Sequence, residues 1–362
     1  MSHRPEMRTA RRIAGFGATL AMMIGVAATA ARAAPQTAAE IANYTGPDRA
    51  MVILEGARKE GQVLLYTGAT SAILDHFRKK YPFLKVDAAQ SDAPGHVRRM
   101  SEEYKAGRHI ADIVATSNGG LHALKAMGNL QPFASPELAV FRPDAVEPGR
   151  HWAQVFESYV SLGFNTKAVS IDQAPKTLDD LLDPKWMGKM AFPGTTLPNW
   201  IGSVVRNKGD KGAESYLQKL AQNKLGVHQI SGRALANLVV SGEISLSPST
   251  FSSHMADSKK AGASVAWRPL DGVYANVSSI SLAKYPPHPH AAMLYIDFML
   301  SKEGQILHQE IGYSSGRTDL DNPDSPSARF YLGDEPDYEA NFSKWSDLGR
   351  KIFGRGEPAK GK

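Results

Sequence analysis

Short apolar runs alternate with helical segments between residues 60 and 130 of the chain. The runs "QVLLYT", "FLKVDAAQ" and "ADIVATS" have the length and apolar content of buried strands. The segments "SAILDHFRKKYP" and "VRRMSEEYKAGR" lie between them and favour helices, the second of which is polar. Because strands that alternate with helices form parallel sheets, this pattern predicts an α/β domain.

A second α/β set follows a long β-rich run at residues 151–165, where the chain is expected to cross into another domain. Without its N-terminal 33 residues the chain has about 330 residues, which is enough for two domains. The predicted helices of the second set include "LDDLLDP" and the pair "NWIGSVVRNKG" and "AESYLQKLAQN". We therefore expect two α/β domains of similar construction.

The chain is then expected to return to the first domain. The strands "ASVAWRPL" and "SSISLAK" would make this return, and "HAAMLYIDFMLSKEGQILHQEIG" predicts one long amphipathic helix. A polar tail follows, with a modest helix, "NFSKWSDLGRKIF", and a frayed basic end. The predicted boundaries are 34–155 and 266–320 for the two parts of the first domain, 156–265 for the second domain and 321–362 for the C-terminal helix and tail.

The first 33 residues have the three parts of a secretory signal. An arginine-rich start precedes the apolar stretch "IAGFGATLAMMIGVAATA", and small residues favour cleavage after Ala33 or Ala30. Arg11 and Arg12 leave the twin-arginine route open as an alternative, although the residues after them fit it poorly. No other apolar run reaches the roughly 18 residues that span a bilayer. We expect a soluble protein exported to the periplasm.

Charge and cysteine content exclude several classes of function. The signal holds five arginines and one acidic residue, so only +2 of the formal net charge of +6 belongs to the remainder. Such a balanced surface offers no electrostatic footprint for nucleic acid. The chain has no cysteine, which excludes disulfides, thiolate catalysis and a lipoprotein anchor.

Two stretches, "NTKAVSIDQAPKTLDDLLDPKWMGKMAFPG" and "HAAMLYIDFMLSKEGQ", resemble the mid-chain signature and the C-terminal helix of one family. That family is the periplasmic solute-binding proteins of ABC importers, and the resemblance is to its ferric-iron, phosphonate, thiamine and polyamine group. "GQVLLYTGATSAILDHFRKKYP" and "ADIVATSNGG" resemble its opening strand-loop-helix and its first crossover loop more weakly, so the resemblance covers about residues 55–320.

The resemblance implies two α/β lobes with mixed, mainly parallel sheets, joined by two or three crossing strands that form a hinge. A small-molecule ligand would lie in the cleft between the lobes and be delivered to an ABC permease in the inner membrane. We expect a monomer that uses no cofactor and no resident metal.

Polar turns follow several predicted strands. Ligands of open α/β sheets lie beyond the carboxyl ends of strands, where helix N-termini favour anions. Ordinary helix capping is the alternative for each residue, because Ser, Thr and Asn are common N-caps. Tyr159 and Phe251 could contact an organic body, Arg268 could add a guanidinium, and Trp186 is assigned to packing. The candidate ligand-binding residues are Tyr66, Thr67, Thr70, Ser71, Ser117, Asn118, Thr195, Thr196, Arg233, Ser252, Ser253 and Tyr274.

The resemblance also raises the question of iron. Ferric-binding members use two adjacent tyrosines in the second lobe, often with a His and a Glu from the first, and Fe(III) suits such oxygen ligands. This sequence has Ser252 and Ser253 where the tyrosines would fall, Thr70 at the His position and Ser117 at the Glu position. Hydroxyl and N–H groups suit an oxyanion, so a phosphonate or phosphate ester is predicted ahead of a carboxylate. Ferric iron, bound directly or as a chelate, is the alternative.

Catalytic patterns are weak in this sequence. It contains no G-x-S-x-G, H-E-x-x-H, P-loop or dinucleotide fingerprint. The Ser281 and Lys284 pair lacks the companion motifs of serine-lysine hydrolases, and His288 and His290 lie in a proline-rich loop. We expect no enzymatic activity; a ligand-binding sensor component and, more distantly, a secreted hydrolase are the alternatives.

Overall fold

Three parallel strands begin the fold, as the alternating pattern predicts. The structure is a computed structural model that describes residues 1, 35–68, 71–322, 326, 328–335 and 337–354, so the predicted signal lies almost wholly outside the described residues. β1 (Gln62–Thr67) pairs in parallel with β2 (Lys85–Ala89) and with β3 (Ile113–Thr116). The helices of the first part of this lobe are α1 (Ala38–Ala42), α2 (Arg49–Glu60), α3 (Ser71–Lys80), α4 (Ala93–Lys105) and α5 (Asn118–Ala126).

The two faces of β1 pack against different hydrophobic clusters. Val63 and Leu65 belong to the larger cluster, which includes residues of α2 and α3. Leu64 and Tyr66 pack in the smaller cluster, which includes residues of α4 and α5. This alternation follows from the two-residue period of a strand, and it confirms the predicted α/β layers.

Two long strands cross from the first lobe to the second. They are β5 (Trp152–Asn165) and β10 (Val273–Ala283), which pair antiparallel with each other. β10 also pairs with β3 and with β4 (Leu130–Gln131), whereas β5 pairs with β8 (Leu246–Phe251). One continuous mixed sheet therefore joins the two lobes.

The predicted return of "ASVAWRPL" to the first domain is wrong. Its strand, β9 (Val265–Arg268), pairs antiparallel with the last residues of β5, Leu162 to Asn165, inside the second lobe. The return of "SSISLAK" is confirmed, because β10 contains it and pairs with β3.

The second lobe has its own hydrophobic core and a two-stranded parallel sheet. The sheet pairs β6 (Ala191–Pro193) with β7 (Gly226–His228). The two helices predicted after β6 form α6 (Leu197–Ala221), whose backbone leaves helical geometry at Gly209 (φ 69°, ψ 166°). The remaining helices are α7 (Gly232–Ser241) and α8 (Ser252–Lys260).

The predicted helix "LDDLLDP" is wrong. This region forms two 3₁₀ turns instead, Asp179–Leu182 and Pro184–Trp186. Asp183 interrupts the helix between them, because the proline that follows restricts it to extended backbone. Trp186 is buried and its indole N–H donates to the carbonyl of Asp180 at 3.0 Å, so its assignment to packing is confirmed.

The predicted long C-terminal helix is divided into α9 (Pro289–Leu300) and α10 (Lys302–Glu310). Ser301 has extended backbone (φ −64°, ψ 160°), and its hydroxyl accepts from the N–H of Gly304 at 3.1 Å. This side chain caps the second helix, and capping favours a break over a continuous helix. A helical period alone does not show such a break.

The last described residues of the chain pack on the second lobe. β11 (Arg329–Phe330) pairs in parallel with β10, and a 3₁₀ turn, Leu332–Asp334, follows it. The last helix, α11 (Tyr338–Phe353), matches the predicted modest helix and packs on α6 through Trp345. The predicted basic end, 355–362, lies outside the described residues. Within the described ranges no helix is long and apolar enough to cross a membrane.

Leu332 tests the docking of this C-terminal segment. Its side chain is fully buried in the core of the second lobe, so Leu332→Ala should lower the free energy of unfolding by about 2–5 kcal/mol. Ile306→Ala, at a partly exposed position on α10, is the control and should cost less than about 1 kcal/mol. Urea unfolding measures both; equal effects would show that the segment is not docked.

His308 makes stability depend on pH. Its side chain is 1% exposed, and burial lowers its pKa to about 4, from about 6.5 in an unfolded chain. The unfolded chain therefore takes up a proton first, and stability should fall as the pH drops from about 6.5 towards 4. Urea unfolding of His308→Gln across this range should show a shallower loss than the wild type. Parallel pH profiles would contradict this expectation.

Candidate functional site

A cavity of about 770 Å³ lies beyond the carboxyl end of β3. We call it the main cavity. Its walls are α4, the first turn of α5, the start of β10 and four residues of the C-terminal segment, Tyr331, Gly333, Glu335 and Tyr338. The position agrees with the rule that ligands of α/β sheets bind outside the carboxyl ends of strands. Polar and charged residues that line it include Arg98, Ser101, Glu102, Lys105, Ser117, Asn118, Tyr274, Asn276, Tyr331, Glu335 and Tyr338.

The first turn of α5 forms one wall of the main cavity. Ser117 is its N-cap residue, but the Ser117 side chain makes no capping hydrogen bond in the described structure. Asn118 is held from β10, since Ser279 Oγ donates to Asn118 Oδ1 at 2.6 Å. Leading N–H groups of a helix attract anions, so this turn can bind a negatively charged group.

Glycine is required at the next position because the C-terminal segment approaches α5 closely. A Cβ atom on Gly119 would lie 2.9 Å from the backbone oxygen of Gly333. A larger residue at 119 would push the segment away from the cavity.

Three helices of the second lobe begin close together, at the ends of β6, β7 and β8. Thr196, the N-cap of α6, has its hydroxyl 2.9 Å from the hydroxyl of Ser249 on β8. A Cβ atom on Gly232, at the start of α7, would lie 3.4 Å from the Phe251 ring and 3.8 Å from the Thr196 methyl group. Phe251 is the N-cap of α8. These helix starts form a second group of N–H donors, which also favours an anion.

The two serines at the expected tyrosine positions serve the crossing strand. Ser252 Oγ accepts from the backbone N–H of Tyr159 at 3.1 Å, and Ser253 Oγ lies 2.9 Å from Ser158 Oγ. Both serine side chains are buried. Tyr159 is buried as well, and its hydroxyl donates to Glu157 at 2.7 Å. The hydroxyls thus already bond within the protein.

The candidate ligand-binding residues at the end of β1 and after it either lie away from the main cavity or lie, wholly or in part, outside the described structure. Tyr66 is fully buried, and its hydroxyl donates to Glu103 at 2.6 Å. Burial, and then this hydrogen bond, raise the pKa of Tyr66 above its ordinary value. Thr67 is buried at the end of β1. Thr70 lies outside the described residues, and of Ser71 only the backbone, at the start of α3, is described.

The predicted arginines and Thr195 also lie elsewhere. Arg233 pairs with Asp257 at 3.1 Å on the surface, and Arg268 donates to the carbonyl of Ile171 at 2.6 Å. Thr195 lines a different cavity, of about 390 Å³, between the start of α6 and α11.

The structure therefore brings three predicted residues, Ser117, Asn118 and Tyr274, to the main cavity. Sequence reasoning missed the contribution of the C-terminal segment, including Tyr331 and Tyr338. A signal was present, since "FYLGDEPDY" adds aromatic residues to an otherwise polar tail.

Burial near the second-lobe helix starts leaves His254 neutral at pH 7. Burial, and then the charge of Arg233, lower the pKa of His254 to about 4. The His254 ring packs edge-on against Phe251, with 5.3 Å between the ring centres. Across the described part of the chain, no three His, Asp or Glu side chains are grouped so that they could hold a metal ion.

Comparison with known proteins gives the family. The model of the family described as bacterial extracellular solute-binding protein matches residues 108–338. The chain belongs to this family. Its members are binding proteins of ABC transporters, and the predicted recognition is confirmed.

Similar proteins support the same fold. The chain is 24% identical to an uncharacterised protein of Haemophilus influenzae over an alignment of 279 residues, and the match covers 73% of this chain and 80% of the relative. The structure of this chain is similar to that of iron-bound HitA from Pseudomonas aeruginosa, with a TM-score of 0.60 and 21% identity. The match covers 80% of this chain and 99% of HitA.

AfuA from Actinobacillus pleuropneumoniae, a periplasmic binding protein with exogenous fructose-6-phosphate bound, is similar too. Its TM-score is 0.54 at 22% identity, over 82% of this chain and 97% of AfuA. Both structures share the two-lobed α/β fold, so the predicted fold class is confirmed.

Ser252 allows a test of the structural role assigned here. Ser252→Ala would leave the buried N–H of Tyr159 without its acceptor, which should lower the free energy of unfolding by about 1–3 kcal/mol. Thr195→Val is the control, because its side chain is exposed, and should change stability by less than about 0.5 kcal/mol. Urea unfolding would contradict the assignment if Ser252→Ala were as stable as the wild type.

Proposed function

We propose that this family member is the exported substrate-binding protein of an ABC importer and captures a small organic anion in the main cavity. The observation that supports it most directly is the first turn of α5, which opens on that cavity without a cap from Ser117. The anionic group of the ligand would accept hydrogen bonds from these N–H groups.

The rest of the main cavity suits the organic part of such a ligand. Tyr274, Tyr331 and Tyr338 offer aromatic surface, and on the α4 wall Arg98 and Lys105 exceed Glu102 by one positive charge. Glu335 lines the cavity as well, but it pairs with Arg206, which offsets its charge. A phosphonate or phosphate ester is therefore favoured over a simple carboxylate, because it combines a strongly charged group with an organic body.

Two further parts of the proposal follow from the family. The ligand would be released unaltered to a permease of the inner membrane, without enzymatic turnover. The N-terminal signal would direct the protein to the periplasm. The fructose-6-phosphate in AfuA agrees with a phosphate ester, whereas iron-bound HitA keeps ferric iron as the second candidate.

A thermal-shift screen tests the ligand class. The panel is methylphosphonate, fructose 6-phosphate, citrate, ferric citrate, ferric chloride, thiamine and spermidine. An anion at one hundred times its dissociation constant should add roughly 2.7 kcal/mol of stability. A response to the phosphonate or the phosphate ester supports the proposal. A response to ferric salts alone, or to thiamine or spermidine alone, would contradict it.

Ser117→Asp tests where the anion binds. An aspartate at the N-cap would satisfy the first turn of α5 and repel an anion there, so affinity for the responding anion should fall about tenfold or more. Ser301→Asp is the matched control, with the same added charge at the N-cap of α10 and unchanged affinity expected. Calorimetric titration gives both affinities. Equal affinities in the two variants would place the anion elsewhere.

A further inference from the structure

Tyr331 lies between the main cavity and a second cavity of about 270 Å³. Tyr331, Asn118 and Val277 line both cavities, so these residues form the partition between them. We propose that Tyr331 is a specificity-determining residue: its ring limits ligands to the main cavity and excludes larger organic bodies from the second. This inference rests on the proposed function, since it concerns which anions that site accepts.

An ionic cluster around the buried Glu157 holds the Tyr331 hydroxyl. It donates to Glu157 Oε1 at 2.9 Å and lies 3.3 Å from Asp144 Oδ2. Glu157 is fully buried on β5 and pairs with Arg142 and, at 3.2 Å, with Arg329. The two guanidinium groups pair with the buried carboxylate of Glu157, which makes burial of its charge tolerable. The hydroxyl is therefore fixed to a crossing strand.

The ring and backbone of Tyr331 are fixed as well. The ring packs against Tyr159, Val273 and Ala275. On one side of Tyr331, β11 pairs with β10; on the other, Leu332 is fully buried in the second lobe. A side chain held by such contacts can exclude a ligand group, because moving it would break them.

The second cavity has the chemistry to hold an uncharged, oxygen-bearing group. Gln154 lines it and is 2% exposed, and its Nε2 has no hydrogen-bond partner among the described residues. A buried amide without a partner is costly, so a ligand oxygen that accepts from it would be stabilised. The Trp152 and His122 rings, 4.8 Å apart between centres, add an aromatic wall.

The carboxylates around the second cavity already have partners. Asp144 pairs with Arg142 at 3.0 Å. Glu147 pairs with Lys125 at 2.5 Å and with His151 at 3.2 Å. Burial alone would raise the pKa of Glu147, but these bonds outweigh it and lower the pKa to about 2. With its charges paired, the second cavity suits the hydroxylated body of a phosphate ester, not its anionic group.

The test compares one small and one large anion. Methylphosphonate and fructose 6-phosphate are titrated into wild type, Tyr331→Ala, Tyr331→Phe and Tyr285→Ala. Tyr331→Ala should shift the ratio of the two affinities towards fructose 6-phosphate by roughly tenfold or more, as expected when a pocket gains room for a polar body. Tyr331→Phe keeps the ring, and Tyr285 is an exposed control, so both should keep the wild-type ratio. Adding Gln154→Leu to Tyr331→Ala should remove the gain.

An unchanged ratio in Tyr331→Ala would overturn the inference. Circular dichroism checks that each variant is folded, and Tyr331→Val replaces Tyr331→Ala if the latter unfolds, because it also removes the ring.

A second measurement needs no ligand. Because the chain has no cysteine, Gln154→Cys introduces a single thiol at the second cavity. Its modification by a methanethiosulfonate reagent should accelerate about tenfold or more when Tyr331→Ala is added, since the partition is then open. If the thiol reacts faster in the double variant but the wild type binds neither anion, the proposed function is contradicted and the partition is supported. If the wild type binds an anion, but the thiol reacts no faster and the ratio of affinities is unchanged, the partition is contradicted and the proposed function is supported.

Discussion

The antiparallel pairing of β5 with β10 is the connection on which both lobes depend. β10 joins the parallel strands of the first lobe through β3, and β5 joins the second lobe through β8 and β9. Their register shifts between Ser278 and Ser279, close to where β3 ends. Beyond that point one edge of β10 has no partner from β3, and the main cavity occupies the space. The cavity is thus a consequence of strands of unequal length.

Hydroxyl groups in this protein divide into two kinds by what they contact. Ser252 and Ser253 bind the crossing strand, so they stabilise the junction between the lobes. Ser117 caps nothing, although it has the extended backbone of an N-cap residue. The same side-chain chemistry therefore has a structural role at the end of β8, whereas at the end of β3 the Ser117 side chain leaves the first turn of α5 uncapped.

The parts of the fold that depend on local periodicity could be predicted from the sequence. The strands β1, β2 and β3, the crossing of β5 and the last helix follow from apolar spacing. Local spacing does not show which strand pairs with which, and so β9 was assigned to the wrong lobe. The break at Ser301 was missed because one capping hydroxyl outweighs an otherwise continuous helical pattern.

The candidate site was predictable only where it follows a strand end. Ser117 and Asn118 are candidates by that rule and line the main cavity, and their role in ligand binding stays a prediction. Tyr66 lies outside the main cavity, and its position at the end of β1 does not determine which face of the sheet its ring enters. Tyr331 could not be predicted, since its place depends on contacts with Glu157, which lies 174 positions earlier in the chain.

The position of Tyr331 in the chain order has a consequence for biosynthesis. Every described strand except the short β11 ends at or before Ala283, yet Tyr331, much later in the chain, completes a wall of the main cavity. A product of premature termination or proteolysis ending before residue 329 would contain those strands with one wall missing. Such a product would keep most of both lobes but leave the main cavity open on the side of Tyr331. The late wall therefore makes completion of the cavity depend on synthesis of the chain beyond residue 330.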